Sequence, residues 1–548
     1  MIHILSHFFL FFFIVYYNGV LFLKVSNYNY LRFDKFEISF FGIIVTGLVA
    51  QTINFFVPLN SYIIIFNTIL ILIFIILDKK IKLKLEIKKI DFFYIFLFLL
   101  IILNIYGSKF SDDLDHYHYG YINNSDNSNY IIGLGHLHAM YAYSSIWLIT
   151  HSYFNFDYSR LQDIHVLNGL IFFIFLSIFY KEIKSSLIKK ENNIYIPILF
   201  SILIFILLKY TRLKEFGIDR APFLILYFLI LFYLKNFFLN DEKNNIDKKI
   251  ILLIYICIFL FYIKITFFFA CLIPLYYIIK HKNFRIFISK PFIPIYIFVL
   301  SYLIKNFIIS GCFIFPIGFT CLESISWNMK EIAEEQYIIS EILNKSWWLY
   351  KGTLTDLEYI KNFNWFETWF IRSKIEFLEF FLTSILTIIF TILSFHKSNI
   401  RNNNFLIKKI SEIFKIFSII FSIQVVLFFF KLPVIRMSHY LFIFFSILIL
   451  IIFFYKFKLF AKKKVLFSII FIALTFNFTK NFTRISENKF VNSPYESKPH
   501  TSEQTKLKLN KFEYYKGWYG NYPTSNVVLG DSYEHKRILI FDMIYKVN

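Results

Sequence analysis

Residues 111–118 read Ser-Asp-Asp-Leu-Asp-His-Tyr-His, three carboxylates and two imidazoles just beyond the almost purely hydrocarbon run at 90–106. An ionisable group is expensive inside a bilayer, so acids gathered where an apolar helix meets water face a protected cavity or a ligand. Asp112, Asp113 and Asp115 are the candidate catalytic acids, because an ionised Asp can take a proton from an attacking hydroxyl. The bland alternative is a loop that only caps the helix end. Arginines stand at other span ends: Arg212 and Arg220 in Thr-Arg-Leu-Lys-Glu-Phe-Gly-Ile-Asp-Arg (211–220), and Arg436 in Lys-Leu-Pro-Val-Ile-Arg-Met-Ser-His (431–439). A guanidinium grips phosphate bidentately, so acids and arginines on one face compose a group-transfer site with Arg212, Arg220 and Arg436 as phosphate clamps. The competing reading lets each arginine snorkel to headgroups or pair locally, as Arg220 would with Asp219.

Gly-Leu-Gly-His-Leu-His at 133–138 adds two imidazoles to His116 and His118. Zinc is disfavoured: an i, i+2 pair points to one side only on a strand, and no Cys accompanies it. His118 and His138 are expected instead to hydrogen-bond substrate or the nearby carboxylates. A hard divalent cation, magnesium or manganese, on Asp113 and Asp115 stays open, since such ions take oxygen ligands. Cys257 and Cys271 fall inside apolar runs and read as packing residues. Cys312 and Cys321, in Ser-Gly-Cys-Phe-Ile-Phe-Pro-Ile-Gly-Phe-Thr-Cys, can form a disulfide in an oxidising compartment.

The elements that must position these residues are membrane helices. Of 548 residues 57% are hydrophobic and 22% aromatic, with only 15 Gly and 11 Pro, which excludes disordered, collagenous and small disulfide-rich classes. The formal charge of +22 would suggest nucleic acid if it lay on one face, but the Lys and Arg cluster in alternate short loops, near 78–89, 181–190, 235–249, 280–290, 397–409 and 456–464. The positive-inside rule makes those loops cytoplasmic. Apolar runs between them give about fourteen spans by length, at 2–23, 38–57, 60–77, 90–106, 163–180, 194–209, 220–238, 249–264, 265–280, 291–309, 375–395, 412–430, 438–455 and 464–477. The first run lacks a basic n-region and a small-residue cleavage site, so it reads as a retained helix. Segments 107–160, 210–219, 309–374, 431–437 and the tail from 478 then share the other face. A full span at 131–150 would invert every later loop, so that stretch is expected as re-entrant or interfacial helices buried in protein. Trp327, Trp347, Trp348, Trp365 and Trp369 suit either an interfacial belt or a packed external lobe, and the belt is the expected reading. There is no GxGxxG, P-loop or HExxH, and no sustained repeat.

The set Asp-Asp-Leu-Asp-His-Tyr-His (112–118), Gly-Leu-Gly-His-Leu-His with Tyr-Ser-Ser-Ile-Trp (143–147), Arg-Leu-Lys-Glu-Phe-Gly-Ile-Asp-Arg (212–220), Ser-Gly-Cys-Phe-Ile-Phe-Pro (310–316) and Pro-Val-Ile-Arg-Met (433–437) covers most of residues 40–440. With these motifs the chain resembles bacterial multi-pass membrane proteins related to the GT-C glycosyltransferases. The resemblance implies an all-α, GT-C-like transmembrane bundle over 1–477, with an external catalytic loop at 107–160, a second external loop at 309–374 and short interfacial helices. It also implies an enzyme of the bacterial inner membrane that moves a sugar from a polyprenyl-phosphate-linked donor to a glycan, lipid or protein acceptor on the periplasmic side. The catalytic acid corresponds to Asp113, with Asp112 and Asp115 as rivals. The alternatives are a transporter or flippase of lipid-linked glycans and a glycan polymerase or ligase. The tail, 478–548, matches no motif and is expected as a small non-cytoplasmic segment.

Overall fold

The computed structural model describes residues 2–78, 91–107, 113, 117–155, 165–189, 193–213, 218–239, 246–487, 505–509, 512–516, 523–525, 529 and 533–546. Asp112, Asp115 and His116 lie outside these. The described residues are 74% helix and 8% strand, a helical membrane protein with small β additions that an all-α reading leaves out.

Among the described residues, eight helices are long and apolar enough to cross a membrane: His3–Val25, Lys35–Ile53, Val166–Ile188, Ala221–Leu239, Lys290–Ser310, Phe366–Ser394, Asn404–Phe430 and Lys463–Ser486. That is fewer than the fourteen spans expected, and the physical reason is length and charge. Ser61–Leu77, Phe92–Tyr106, Tyr195–Lys209, Ile265–Lys280 and His439–Phe454 are helical and apolar but shorter. A sixth, Ile246–Ile263, opens on Asp247, Lys248 and Lys249. The last long helix runs on past residue 477 to Ser486.

Several helix starts follow from capping chemistry. Asp34 caps Lys35–Ile53 with its side chain on the Phe36 N–H, while Glu37 accepts the Asp34 N–H at 3.0 Å, a reciprocal capping box. Asp91 caps Phe92–Tyr106 through the Phe93 N–H at 3.1 Å. The first two helices cross on glycines. A Cβ on Gly19 would run into the Ile38 carbonyl oxygen and one on Gly42 into that of Val15, so only glycine permits this approach. Val166–Ile188 and Ala221–Leu239 are buried along most of their length and form the centre, whereas Phe366–Ser394 and Asn404–Phe430 keep a broad apolar face outward.

Residues 131–150 do not span. They form the 3-10 turns Leu134–His136 and Ala139–Tyr143 and open the helix Ile146–Tyr153, all largely buried in protein. Buried Lys305 fixes this segment by donating to the Ser144 carbonyl at 2.7 Å and to Gln51 Oε1 at 3.3 Å.

The tryptophans correct the belt reading. Trp365 and Trp369 are buried, the Trp369 indole donates to the Pro433 carbonyl, and Trp327 donates to the Phe307 carbonyl at 2.9 Å. Indole N–H groups that find backbone acceptors belong to a packed lobe. Trp348 is the exposed one. In the same segment, 309–374, Cys312 and Cys321 are disulfide-bonded.

The tail carries the strands Thr505–Leu509, Phe512–Lys516 and Thr524–Ser525 in one small sheet and the hairpin Tyr533–Ile538/Phe541–Lys546. The hairpin docks on the loop that follows the acidic cluster: Ile132 N donates to Asp542 O at 2.8 Å and Ile544 N to Ile132 O at 2.9 Å. Gly133, at φ +73°, makes this possible, since a Cβ there would meet the Ile544 carbonyl.

Candidate functional site

Helix ends converge on one end of the bundle and bring charge with them. Phe92–Tyr106 finishes at Gly107, whose carbonyl accepts from Arg212 Nε at 3.3 Å, and the acidic loop leaves from this point. Arg212 is thus tied to the root of the loop. Ala221–Tyr233 begins at Arg220, whose guanidinium lies 5.5 Å from the Tyr210 ring centroid. Immediately before it, Asp219 is gripped from two sides, by Lys264 Nζ at 3.0 Å and by Arg436 Nε at 3.1 Å.

Arg436 is the hub. Burial works against its charge, but Asp219 first and Asp113 second outweigh that and raise its pKa, with Tyr117 and Glu376 adding to the effect. Asp113 is half-buried and is the one acid of the 112–115 cluster within the described residues. The loop carrying Arg436 is braced from the segment 330–374 by the Lys431–Glu341 ion pair and by the bond from Trp369 to Pro433. Lys345 fixes Glu341 in turn at 2.6 Å.

His118 belongs to the same cluster. Burial drives its pKa down to about 3, with Asp219 opposing and Arg436 assisting, so the imidazole is neutral at physiological pH. His138 does something else with one nitrogen: its Nδ1 accepts the Met140 N–H at 3.1 Å and caps the turn Ala139–Tyr143. It stays in the neighbourhood through Tyr117, whose ring lies 6.2 Å from it. His439 stacks between Phe223 and Phe380, at 5.0 and 4.2 Å.

Four members of this cluster were not candidates in the sequence: Lys264, Asp219, Arg484 and His439. Asp219 figured only as a local partner for Arg220. Lys264 had a signal, being the lone charge between two apolar runs. Arg484 was hidden by ending the last span at 477. It donates to the Thr211 carbonyl, to Thr211 Oγ1 at 3.3 Å and to Asn481 Oδ1 at 3.3 Å, and it feels the charges of Arg212 and Arg220. Behind it three buried amides, Asn104, Asn477 and Asn481, hydrogen-bond one another and hold the ends of their helices together.

Arg372 and Glu376 interact electrostatically beside Arg436, and Lys209 pairs with Glu379 at 2.9 Å. Among the described residues, cations outnumber carboxylates here, which suits an anionic group held next to an acid. No group of three or more His, Cys, Asp or Glu among the described residues is arranged to hold a metal. Asp113 interacts electrostatically with Arg436, and Asp115, the other candidate oxygen ligand, lies outside the described residues.

A family model described as "Domain of unknown function (DUF8201)" matches residues 1–439. The match takes in Asp113, Asp219, Lys264 and Arg436 and ends before Arg484 and the tail hairpin. No curated protein matches the chain, and no solved structure does.

Proposed function

We propose that this chain, which belongs to the DUF8201 family, is a membrane glycosyltransferase that moves a sugar from a polyprenyl-phosphate-linked donor to a hydroxyl of a glycan, lipid or protein acceptor. The observation that carries the reading is Arg436 shared between Asp219 and Asp113, with Lys264 and His118 alongside, at one end of an apolar bundle. Asp113 accepts the proton of the acceptor hydroxyl. The hydroxyl oxygen then bonds to the anomeric carbon as the bond from that carbon to the donor phosphate breaks, and the electron pair leaves on the polyprenyl phosphate. Arg436, with Arg212 and Arg220 and the additional Arg484, stabilises that phosphate by charge and hydrogen bonding. Asp219 and Lys264 act as positioning residues, holding Arg436 toward the acid. Neutral His118 hydrogen-bonds the substrate.

The lysine and arginine clusters near the opposite helix ends support a periplasmic site in a bacterial inner membrane, by charge bias. Apolar outer faces such as those of Phe366–Ser394 and Asn404–Phe430 offer the lipid chain of the donor a matching surface.

The test is release of free polyprenyl phosphate from polyprenyl-phosphate sugars by purified protein, compared with Asp113→Asn and run with and without EDTA. Loss of turnover in the variant with donor binding retained is the expected result, and insensitivity to EDTA would remove the divalent cation from the reaction. Full activity in Asp113→Asn, Asp112→Asn and Asp115→Asn alike would end the assignment. Donor translocation across proteoliposomes without release would replace it with a flippase.

A further inference from the structure

At the end of helix His439–Phe454 away from Arg436, the chain enters strand Phe457–Ala461, which pairs antiparallel with Phe395–Arg401. Sixteen helical residues put about 24 Å between the two ends. The pairing unites two basic clusters, 397–409 and 456–464, that the sequence presents as separate loops.

Beside this ribbon is a groove of about 360 Å³, with Lys397 and Lys456 over walls made by Ile449, Ile452, Phe453 and Phe457. The Lys397 ammonium sits 3.6 Å from the Phe453 ring centroid and 5.3 Å from that of Phe457, and Lys456 lies 5.2 Å from Tyr455. Among the described residues neither lysine pairs with a carboxylate. The rim is fixed in place. Buried Asn402 donates from Nδ2 to the carbonyls of Tyr455 at 2.9 Å and Phe457 at 3.1 Å, and from its backbone N–H to Lys456 O at 2.9 Å. Ile452, 60% exposed, continues the apolar wall outward along the helix.

Two cations held over aromatic rings, above an apolar wall at the end of an apolar helix, match an amphiphile with an anionic head. We propose that this groove binds an anionic phospholipid of the adjacent leaflet. Its phosphodiester oxygens lie between Lys397 and Lys456, and its acyl chains run along Ile449 and Ile452. Bare phosphate would leave the apolar wall unused. The proposal shares with the transferase reading only its sidedness and needs none of its chemistry.

Full-length protein in detergent is equilibrated with phosphatidylglycerol and phosphatidylcholine, and retained lipid is counted by native mass spectrometry. Wild type should retain phosphatidylglycerol preferentially, and Lys397→Gln/Lys456→Gln should weaken that retention about thirtyfold, from the usual contribution of a lysine near an anionic membrane surface. Lys463→Gln/Lys464→Gln removes the same charge just outside the groove and should leave the preference intact, as a control for folding and for general surface charge. Retention unchanged in the groove variant, or lost equally in both variants, overturns the proposal. Displacement of the lipid by inorganic phosphate alone makes this a free-phosphate site and also overturns it.

Discussion

Helix His439–Phe454 carries charge differently at its two ends. At its start, Arg436 is drawn into a half-buried cluster of both signs, with Asp219, Asp113 and Lys264 on elements far apart in sequence. At its finish, Lys397 and Lys456 stand on a two-stranded ribbon with aromatic rings for neighbours. Like charges near a surface cost little and attract an anionic interface. Opposite charges drawn together away from water cost desolvation, which is recovered only when the geometry is held by the surrounding fold. The bracing of the Arg436 loop through Trp369 and the Lys431–Glu341–Lys345 pairs supplies that geometry. The first arrangement suits chemistry on a bound group, and the second suits orientation and lipid contact.

The sharpest way to break this contrast is Asp219→Asn. Without the carboxylate, Arg436 and Lys264 lose their common partner and Arg436 is free to swing away from Asp113. Misplacing a group of this kind by about 1 Å costs on the order of 100-fold in turnover, read as polyprenyl phosphate release. Arg436→Gln combined with Asp219→Asn should be far less than multiplicative, because both act on one contact. Full activity in Asp219→Asn would mean that the mixed-sign end is a structural staple and would erase the distinction between the ends.

A second prediction concerns what holds the site end from outside. The Cys312–Cys321 bridge closes a short loop just beyond helix Ile293–Ser310, and Met329 N donates to Ser310 O at 3.1 Å at its base. Cys312→Ser/Cys321→Ser should cost about 2–3 kcal/mol, the chain-entropy estimate for a loop of this size, measured as a lowered Tm. Cys257→Ser, in a packed helix of the bundle, keeps the bridge and should lose Tm on reduction as the wild type does. A Tm of the wild type unchanged by reductant would show that the lobe needs no covalent closure.

Much of this architecture was legible in the residues. Unbroken apolar runs announce helices, and the structure adds Asp34, Asn60 and Asp91 as the caps that start three of them. The failure of 131–150 to span followed from the placement of later lysines. The count of full-length spans was not legible, because hydropathy does not reveal where a helix bends or stops, and Ile265–Lys280 opens as a 3-10 stretch. The ribbon 395–401/457–461 was hidden because Lys-rich segments beside spans read as loops, and its pairing joins segments more than fifty residues apart. In the site, Asp113, His118 and Arg436 carried recognisable local signals. Asp219 did not, because a carboxylate next to Arg220 in sequence looks already satisfied, while its ion pairs reach across the fold to Lys264 and Arg436. Arg484 was missed because Thr475, Asn477, Thr479 and Asn481 make its helix look finished, whereas the buried asparagines bond to one another and let it continue.

The smallest expected effect separates the two ends by pH. His118 is held neutral mainly by burial, with a pKa of about 3, and His136, buried against Tyr533 of the tail hairpin, is lowered to about 4 by burial, with the Trp327 backbone opposing and Lys546 assisting. An unfolded histidine titrates near 6.5. Between that value and the folded one the unfolded chain binds protons that the folded chain does not, so stability is complete above about pH 6.5 and falls as the medium is acidified. From pH 6.5 to 5.5 each histidine should withdraw about 1 kcal/mol, a loss visible as a falling Tm. His118→Gln and His136→Gln should each remove their own share of that slope. Lys397→Gln and Lys456→Gln should leave the slope untouched, since among the described residues no buried imidazole lines the groove. A slope that survives in the histidine double variant would place the acid-sensitive groups elsewhere, and with them the desolvated end of the bundle.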